Sequence, residues 1–412
     1  MQIQTMIIKS VLEVPAGKQV HLLVDKDVTE KSWYIDIIQF ATKLSGKGEI
    51  YMDMQGLRSH LRLPAALIVF KHVYRLTSYA QGRPQVKLFF VKSFEIVSLL
   101  SSIVIGSDLA SKPANKLSPD QFCKETKKLL KNAKVSWWNE KKIEEHGLGL
   151  VLAVGKGAEN PPRFLKIVLK SANPQAKTVY LVGKGVIFDS GGYNLKSGSS
   201  MASMKGDKTG GSIVVSIIHY FMNLQKCAYN LVGIIPLVEN MISHKAQKVG
   251  DVYTSFNGKT VEILNTDAEG RLILADALAY SSTKDPAYIF DFATLTGWAQ
   301  ILHCHTSYVY FATNDDIAKE IDISGNRVGE RSIRLPNWPE YKRFTKSDIA
   351  DYKNVGFECQ SDGFMASMFL MNFVKDPNSW VHFDITHSDI NNHHFTNAAA
   401  TAIDMISRRV LK

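Results

Sequence analysis

From about Val135 onward the chain alternates short apolar runs with stretches of helical periodicity, and that alternation limits its fold more than any other feature. Residues 164–169, 178–182, 229–236 and 287–292 read as strands, and 210–224 and 271–283 as helices. Apolar strands separated by helices make a mainly parallel sheet covered on both faces. In such sheets ligands bind beyond the carboxyl ends of the strands, so the turns after Val182, Leu264 and Phe292 are expected to converge. Residues 1–105 repeat the pattern on a smaller scale, with apolar runs at 20–24, 66–70 and 86–91 and helical pieces at 30–44 and 93–102. They carry no cluster that suggests chemistry. Residues 107–120 form a polar, proline-containing connection, where Ser118 caps and Pro119 opens a helix reaching about Asn132. The expected class is α/β, with a smaller N-terminal α/β domain over 1–105 and a linker with its connecting helix over 106–134. A larger α/β domain over 135–412 follows, its mixed, mostly parallel sheet flanked by helices.

Two glycine-rich turns concentrate the acids. In 261–272, Asp267 and Glu269 lie two apart between a strand-like run and a helix, and Gly270 is read as letting the chain double back beneath them. Two carboxylates held that close repel unless a cation sits between them, although an isolated Asp-Ala-Glu is more often a solvated loop. A second cluster in 182–211 adds Asp189 and Asp207, with Lys184 and Lys196, among further glycines. Four carboxylates on such turns suit a pair of divalent ions about 3.5–4 Å apart holding a nucleophilic water. Gly183-Lys184-Gly185 is no dinucleotide fingerprint, because no third glycine follows at the required spacing.

Both segments resemble the leucyl (cytosol) aminopeptidase family of two-metal exopeptidases, whose Asn-Thr-Asp-Ala-Glu-Gly-Arg-Leu motif stands unchanged at 265–272. The likeness extends from roughly Asn160 to Gly297, taking in 238–243, 250–252, 258–262 and 293–297. It implies that 135–412 is a catalytic dimetal domain binding zinc, manganese or both. One ion would be held by Lys184, Asp189, Asp207 and Glu269, and the other by Asp189, Asp267 and Glu269. The resemblance further implies that Lys196 stabilises the oxyanion as electrophile. A guanidinium has no proton-accepting form at working pH, and the resemblance implies that Arg271 instead anchors a bicarbonate serving as general base. Met204, Thr294, Leu295 and Gly297 match positions bordering the pocket for a leucine-like first residue. Peptide substrates and a homohexamer follow from the same likeness. Lys208-Thr209 and Thr386-His387-Ser388 depart from the family pattern, and the latter falls where part of the specificity pocket is expected.

With 412 residues, 45% apolar and 21% charged, the chain has the composition of an ordinary soluble protein. It has no apolar run near the roughly 20 residues of a membrane helix, and its first residues do not read as a secretory signal, so a cytoplasmic location is expected. The net charge of +10 is uneven: residues 1–150 hold 22 Lys and Arg against 14 Asp and Glu, an excess of eight. That excess supports an alternative reading, a nucleic-acid-binding or scaffolding homologue with weak or altered peptidase activity, although no nucleic-acid motif accompanies it. Cys123, Cys227, Cys304 and Cys359 read as free thiols, and His387, His393 and His394 as surface or loop residues.

Overall fold

The computed structural model describes residues 4–7, 20–23, 49–53, 64, 66–67, 87–90, 94–303, 307–356, 358, 361–386, 398–408 and 411. Near the N-terminus, β1 (Gln4–Ile7), β2 (Val20–Leu23), β3 (Glu49–Asp53) and β4 (Lys87–Phe90) pair in that order, all parallel. In the apolar run at 66–70, Ala66 and Leu67 are helical. The helix expected at 30–44 lies outside the described residues, as do Cys304, His305, Cys359, His387, Ser388, His393 and His394.

The second sheet is built on β5 (Lys134–Trp138), β6 (Arg163–Leu169), β7 (Thr178–Gly183), β8 (Gly185–Asp189), β9 (Asn230–Asn240) and β12 (Tyr288–Ala293), with β13 (Ser307–Ala312), β14 (Arg331–Leu335) and β16 (Trp380–Asp384). Its order is β14-β13-β16-β12-β7-β9-β6-β5, with β8 also on β9. The centre, β16-β12-β7-β9, is parallel throughout, and antiparallel pairings appear toward the two sides, at β13/β16 and at β9/β6/β5. The sheet is therefore mixed and mostly parallel, as the sequence pattern implies.

Strand periodicity sets the two faces. Along β7, Val179 and Leu181 join one apolar cluster with helices Phe94–Ser111, Thr209–Leu224 and Ala398–Ser407. Tyr180 and Val182 point the other way, into a cluster with helices Gly149–Gly155, Glu269–Ser282 and Asp362–Met371. Burying every residue of a strand on one side or the other explains why these runs are apolar without alternation.

Helix Phe94–Ser111 continues nine residues past the expected end at 102, because Ser102, Ser107 and Ser111 are buried rather than solvated. Ser102 Oγ lies 2.9 Å from His219 Nδ1, and Ser216 Oγ donates to the Ser102 carbonyl at 2.8 Å. Ser118 caps helix Pro119–Leu129 as expected, its hydroxyl accepting from Gln121 N while Gln121 Oε1 accepts from Ser118 N. No described helix is long and apolar enough to cross a membrane.

A small sheet of β10 (Val252–Thr254), β11 (Thr260–Glu262) and β15 (Tyr352–Lys353) stands beside the large one. The parallel pairing of β15 with β11 brings Asn354 alongside the acidic turn at 265–269.

Candidate functional site

Lys184 occupies the break between β7 and β8, its N–H donating to the Phe292 carbonyl at 3.0 Å and its carbonyl accepting from Gly211 N at 2.8 Å. That crossing demands glycine on both sides: a β-carbon at Gly183 would lie 2.6 Å from the Gly210 carbonyl oxygen and the Gly211 Cα. Asp189 closes β8, and Gly191 (φ 88°) and Gly192 (φ 62°) turn the chain back so that Lys196 N reaches the Ser190 carbonyl at 3.0 Å. Asp207 sits on the 3-10 turn Met204–Lys208, while Asp267 and Glu269 lead into helix Glu269–Ser282.

Hydrogen bonds stitch the two signature segments together. Thr266 Oγ1 donates to the Gly191 carbonyl at 2.7 Å, and Thr266 N donates to Asn194 Oδ1 at 2.8 Å. Asn240 Nδ2 bridges Asp189 Oδ1 (2.8 Å) and the Thr266 carbonyl (3.0 Å). Asn354 accepts from Leu264 N through Oδ1 at 2.8 Å and donates to the Asn265 carbonyl at 2.6 Å. Asp384 accepts from Leu295 N and Thr296 Oγ1. The sequence assigns no role to Asn240, Asn354 or Asp384; a buried amide or acid at the end of an apolar strand is the signal available for Asn240 and Asp384.

The candidate ligands converge. One ligand atom from each of Asp189, Asp267 and Glu269 lies within 4.8 Å of the others. Lys184 Nζ is 2.9 Å from both Asp207 Oδ1 and Glu269 Oε1, and Lys196 Nζ is 2.9 Å from Asp189 Oδ2 and 2.6 Å from Asp267 Oδ1. Burial disfavours both ammonium groups, yet the carboxylates around them outweigh it and hold both pKa values above the usual lysine range. Burial, with Asp189 adding to it, pushes the Glu269 carboxyl up to about 8 and Asp267 up to about 6; burial likewise raises Asp207. Four carboxylates thus face only two ammonium groups.

The donor set fits metal ions. Asp207 Oδ2, Asp267 Oδ1 and Glu269 Oε1 are buried without a hydrogen-bond donor. For the last two a lysine Nζ is near enough to pair but not aimed as a hydrogen bond. Buried acceptors of this kind are satisfied by cations.

A cavity of about 390 Å³ opens on the cluster, lined by Lys184, Asp189, Lys196, Asp207 and Asp267. Met204, Thr294, Leu295 and Gly297 line it too, with Ser200, Ser203, Gln300 and Thr386. Glu269 and Arg271 are each 1% exposed. Arg271 Nη1 donates to the Asn354 carbonyl at 2.7 Å, and Nη2 to Asp362 Oδ1 at 2.5 Å. Lys208, the departure beside Asp207, is fully buried and donates to the carbonyls of Lys112 (2.8 Å) and Lys205.

Residues 105–407 match the family model described as the cytosol aminopeptidase family, catalytic domain. This chain belongs to the cytosol aminopeptidase family. Within it, a probable cytosol aminopeptidase of Chloroherpeton thalassium is 41% identical over 290 residues, 70% of this chain and 57% of that relative. Another, from a Chelativorans species, is 39% identical over 381 residues, 87% of this chain and 76% of the relative. The match to the first relative therefore spans little more than half of its length. Among solved structures, the bottromycin maturation enzyme BotP in complex with Mn superposes with a TM-score of 0.83 at 27% identity, covering 93% of this chain and 88% of that one. A second BotP structure gives 0.83 at 28%, covering 95% and 90%.

Proposed function

We propose that this chain is a metal-dependent aminopeptidase that removes N-terminal residues from peptides. The observation that carries the reading is the meeting of Lys184, Asp189, Asp207, Asp267 and Glu269 at one rim of the sheet, with three buried carboxylate oxygens that accept no well-aimed hydrogen bond. Lys184, Asp189, Asp207 and Glu269 would hold one divalent ion, and Asp189, Asp267 and Glu269 the other. Such a pair, when bound, supplies Lewis acidity toward a carbonyl and a water acidic enough to serve as nucleophile near neutral pH. Lys184 can join as a ligand only as the neutral amine, so loading the site releases its proton.

Lys196 remains a cation on the cavity wall, steered by Asp189 and Asp267. There it opposes the negative charge that grows on the carbonyl oxygen as the peptide bond is attacked. Met204 and Leu295 give the cavity apolar surface, with Thr294 and Gly297 beside them, which supports a leucine-like first residue. The manganese named in the BotP structure supports manganese as one of the ions, with zinc the other choice. A homohexamer, a cytoplasmic location and a domain division at 105 and 134 belong to the same proposal. A bicarbonate on Arg271 would have to displace Asp362 from Nη2.

Metal content and a panel of aminoacyl reporter substrates test the reading together. Asp267→Ala and Glu269→Ala are expected to lose both bound metal and N-terminal residue release. Full activity in either variant rejects it.

A further inference from the structure

Arg271 is buried, and both terminal nitrogens of its guanidinium are engaged within the chain. Nη1 is held by the Asn354 carbonyl and Nη2 by Asp362 Oδ1, 2.5 Å away; Nε is buried without a hydrogen-bond partner. A free carboxylate or bicarbonate binds a guanidinium best through two parallel N–H bonds, and here Nη1 and Nη2 are both engaged by protein oxygens. Asp362 comes from 91 residues along the chain. Its side chain is 44% exposed, so it reaches from the surface to a guanidinium that is 1% exposed.

The position of Asp362 is set by packing as well as by charge. It opens helix Asp362–Met371, where the helix dipole favours a carboxylate. The next residue must be small, because a β-carbon at Gly363 would come within 2.6 Å of the Trp298 ring. Trp298 follows Gly297 of the cavity wall, so the helix that carries Asp362 is seated directly against a cavity-lining segment.

We infer that Asp362 is the built-in anion of Arg271: the chain fills with its own carboxylate the seat where the family resemblance implies a free bicarbonate, and it has no need of that ion. The consequence for rate rests on the aminopeptidase reading; the occupancy of Arg271 does not. Asp362 is a positioning residue in this account, since it acts through Arg271.

The test uses the full zinc-loaded chain in buffer stripped of carbon dioxide. Carbon-13 bicarbonate, followed by NMR line broadening, is expected to leave the unaltered protein without bound ion. Asp362→Ala should take it up, because a buried guanidinium left unpaired recruits an anion. With a leucyl reporter, added bicarbonate should not change the rate of the unaltered protein. Asp362→Ala should lose roughly 10- to 100-fold and regain much of it with bicarbonate, the size usual for partners that orient an active-site group. Asp362→Ser, which keeps a good helix-opening residue but is too short to carry an anion to Nη2, covers the case in which the alanine variant fails to fold, and it should show the same gain of binding. Bicarbonate binding to the unaltered protein, stimulation of its rate, or folded variants that ignore the ion would each overturn the inference. Absence of hydrolysis in every form would count against the aminopeptidase reading alone, and the binding measurement would still decide the occupancy of Arg271.

Discussion

Gly270 lies so close beneath Lys184 that a β-carbon on it would stand 2.8 Å from both Nζ and Cε of the lysine. The glycine between Glu269 and Arg271 therefore gives the Lys184 amine room to reach Glu269 and Asp207. In an ordinary helix, Gly→Ala adds about 1 kcal/mol of stability. Gly270→Ala should instead trade against Lys184, retaining the fold by circular dichroism but losing roughly 10- to 100-fold in metal affinity or peptidase rate. Zinc content and leucyl-reporter turnover measured on the same preparation check it, and a variant with unchanged values for both would contradict the account.

Lys196 pairs with Asp189 and Asp267, and it lines the cavity. A group placed to oppose charge in the transition state lowers kcat when removed and leaves substrate binding nearly alone. Lys196→Ala is expected to reduce kcat by a factor on the order of 100 to 1000, with KM changed far less. Steady-state kinetics decide this; a loss confined to KM would assign Lys196 to binding.

Much of this site was legible in the string because its chemistry sits on contiguous residues. The motif at 265–272 and the cluster at 184–207 each carry their candidate ligands on one continuous segment, and apolar runs mark the strands that present them. Gly270 illustrates the limit: sequence suggests a turn, yet it is the second residue of a helix and is glycine because Lys184 approaches from 86 positions away. Asn354 and Asp362 could not be found by spacing, since only the pairing of β15 with β11 and the packing of Gly363 on Trp298 bring them to the motif. Helix Phe94–Ser111 outran its expected end for a related reason, Ser102 being polar in composition yet buried against partners that lie 114 to 117 residues along the chain.

Asp276 links the helix Glu269–Ser282 to two other segments, its carboxylate accepting from Leu150 N, Val151 N and Phe256 N at 2.9, 3.0 and 2.7 Å. Burial pushes this carboxyl up to about 7, against the pull of the three N–H donors. The folded pKa stands above the unfolded value of about 3.9, so between roughly pH 4 and 7 the unfolded chain gives up this proton first and stability falls as pH rises. Relative to Asp276→Ala, the unaltered protein should hold an advantage that is larger at pH 5 than at pH 8, by an amount on the order of a few kcal/mol. Urea unfolding of both proteins at the two pH values provides the comparison, and an advantage that grows with pH would refute the sign.

Lys208 sits beside a candidate metal ligand yet spends its side chain on backbone, donating to the carbonyls of Lys112 and Lys205 from a fully buried position. Burial lowers its pKa to about 7, and a neutral amine has two N–H groups for those two acceptors. The contact ties the end of helix Phe94–Ser111 to the turn that presents Asp207, so its job is structural rather than catalytic. Lys208→Met preserves most of the side-chain volume but abandons both carbonyls in the interior, at a cost of roughly 1–3 kcal/mol each if they stay unsatisfied. The variant should unfold at a lower urea concentration while its kcat, once zinc is saturating, stays within about threefold of the unaltered protein, because no reacting group is removed. Equal stability would mean that water reaches the carbonyls of Lys112 and Lys205; a collapse of kcat at full zinc occupancy would give Lys208 a part in the chemistry that its hydrogen bonds do not indicate.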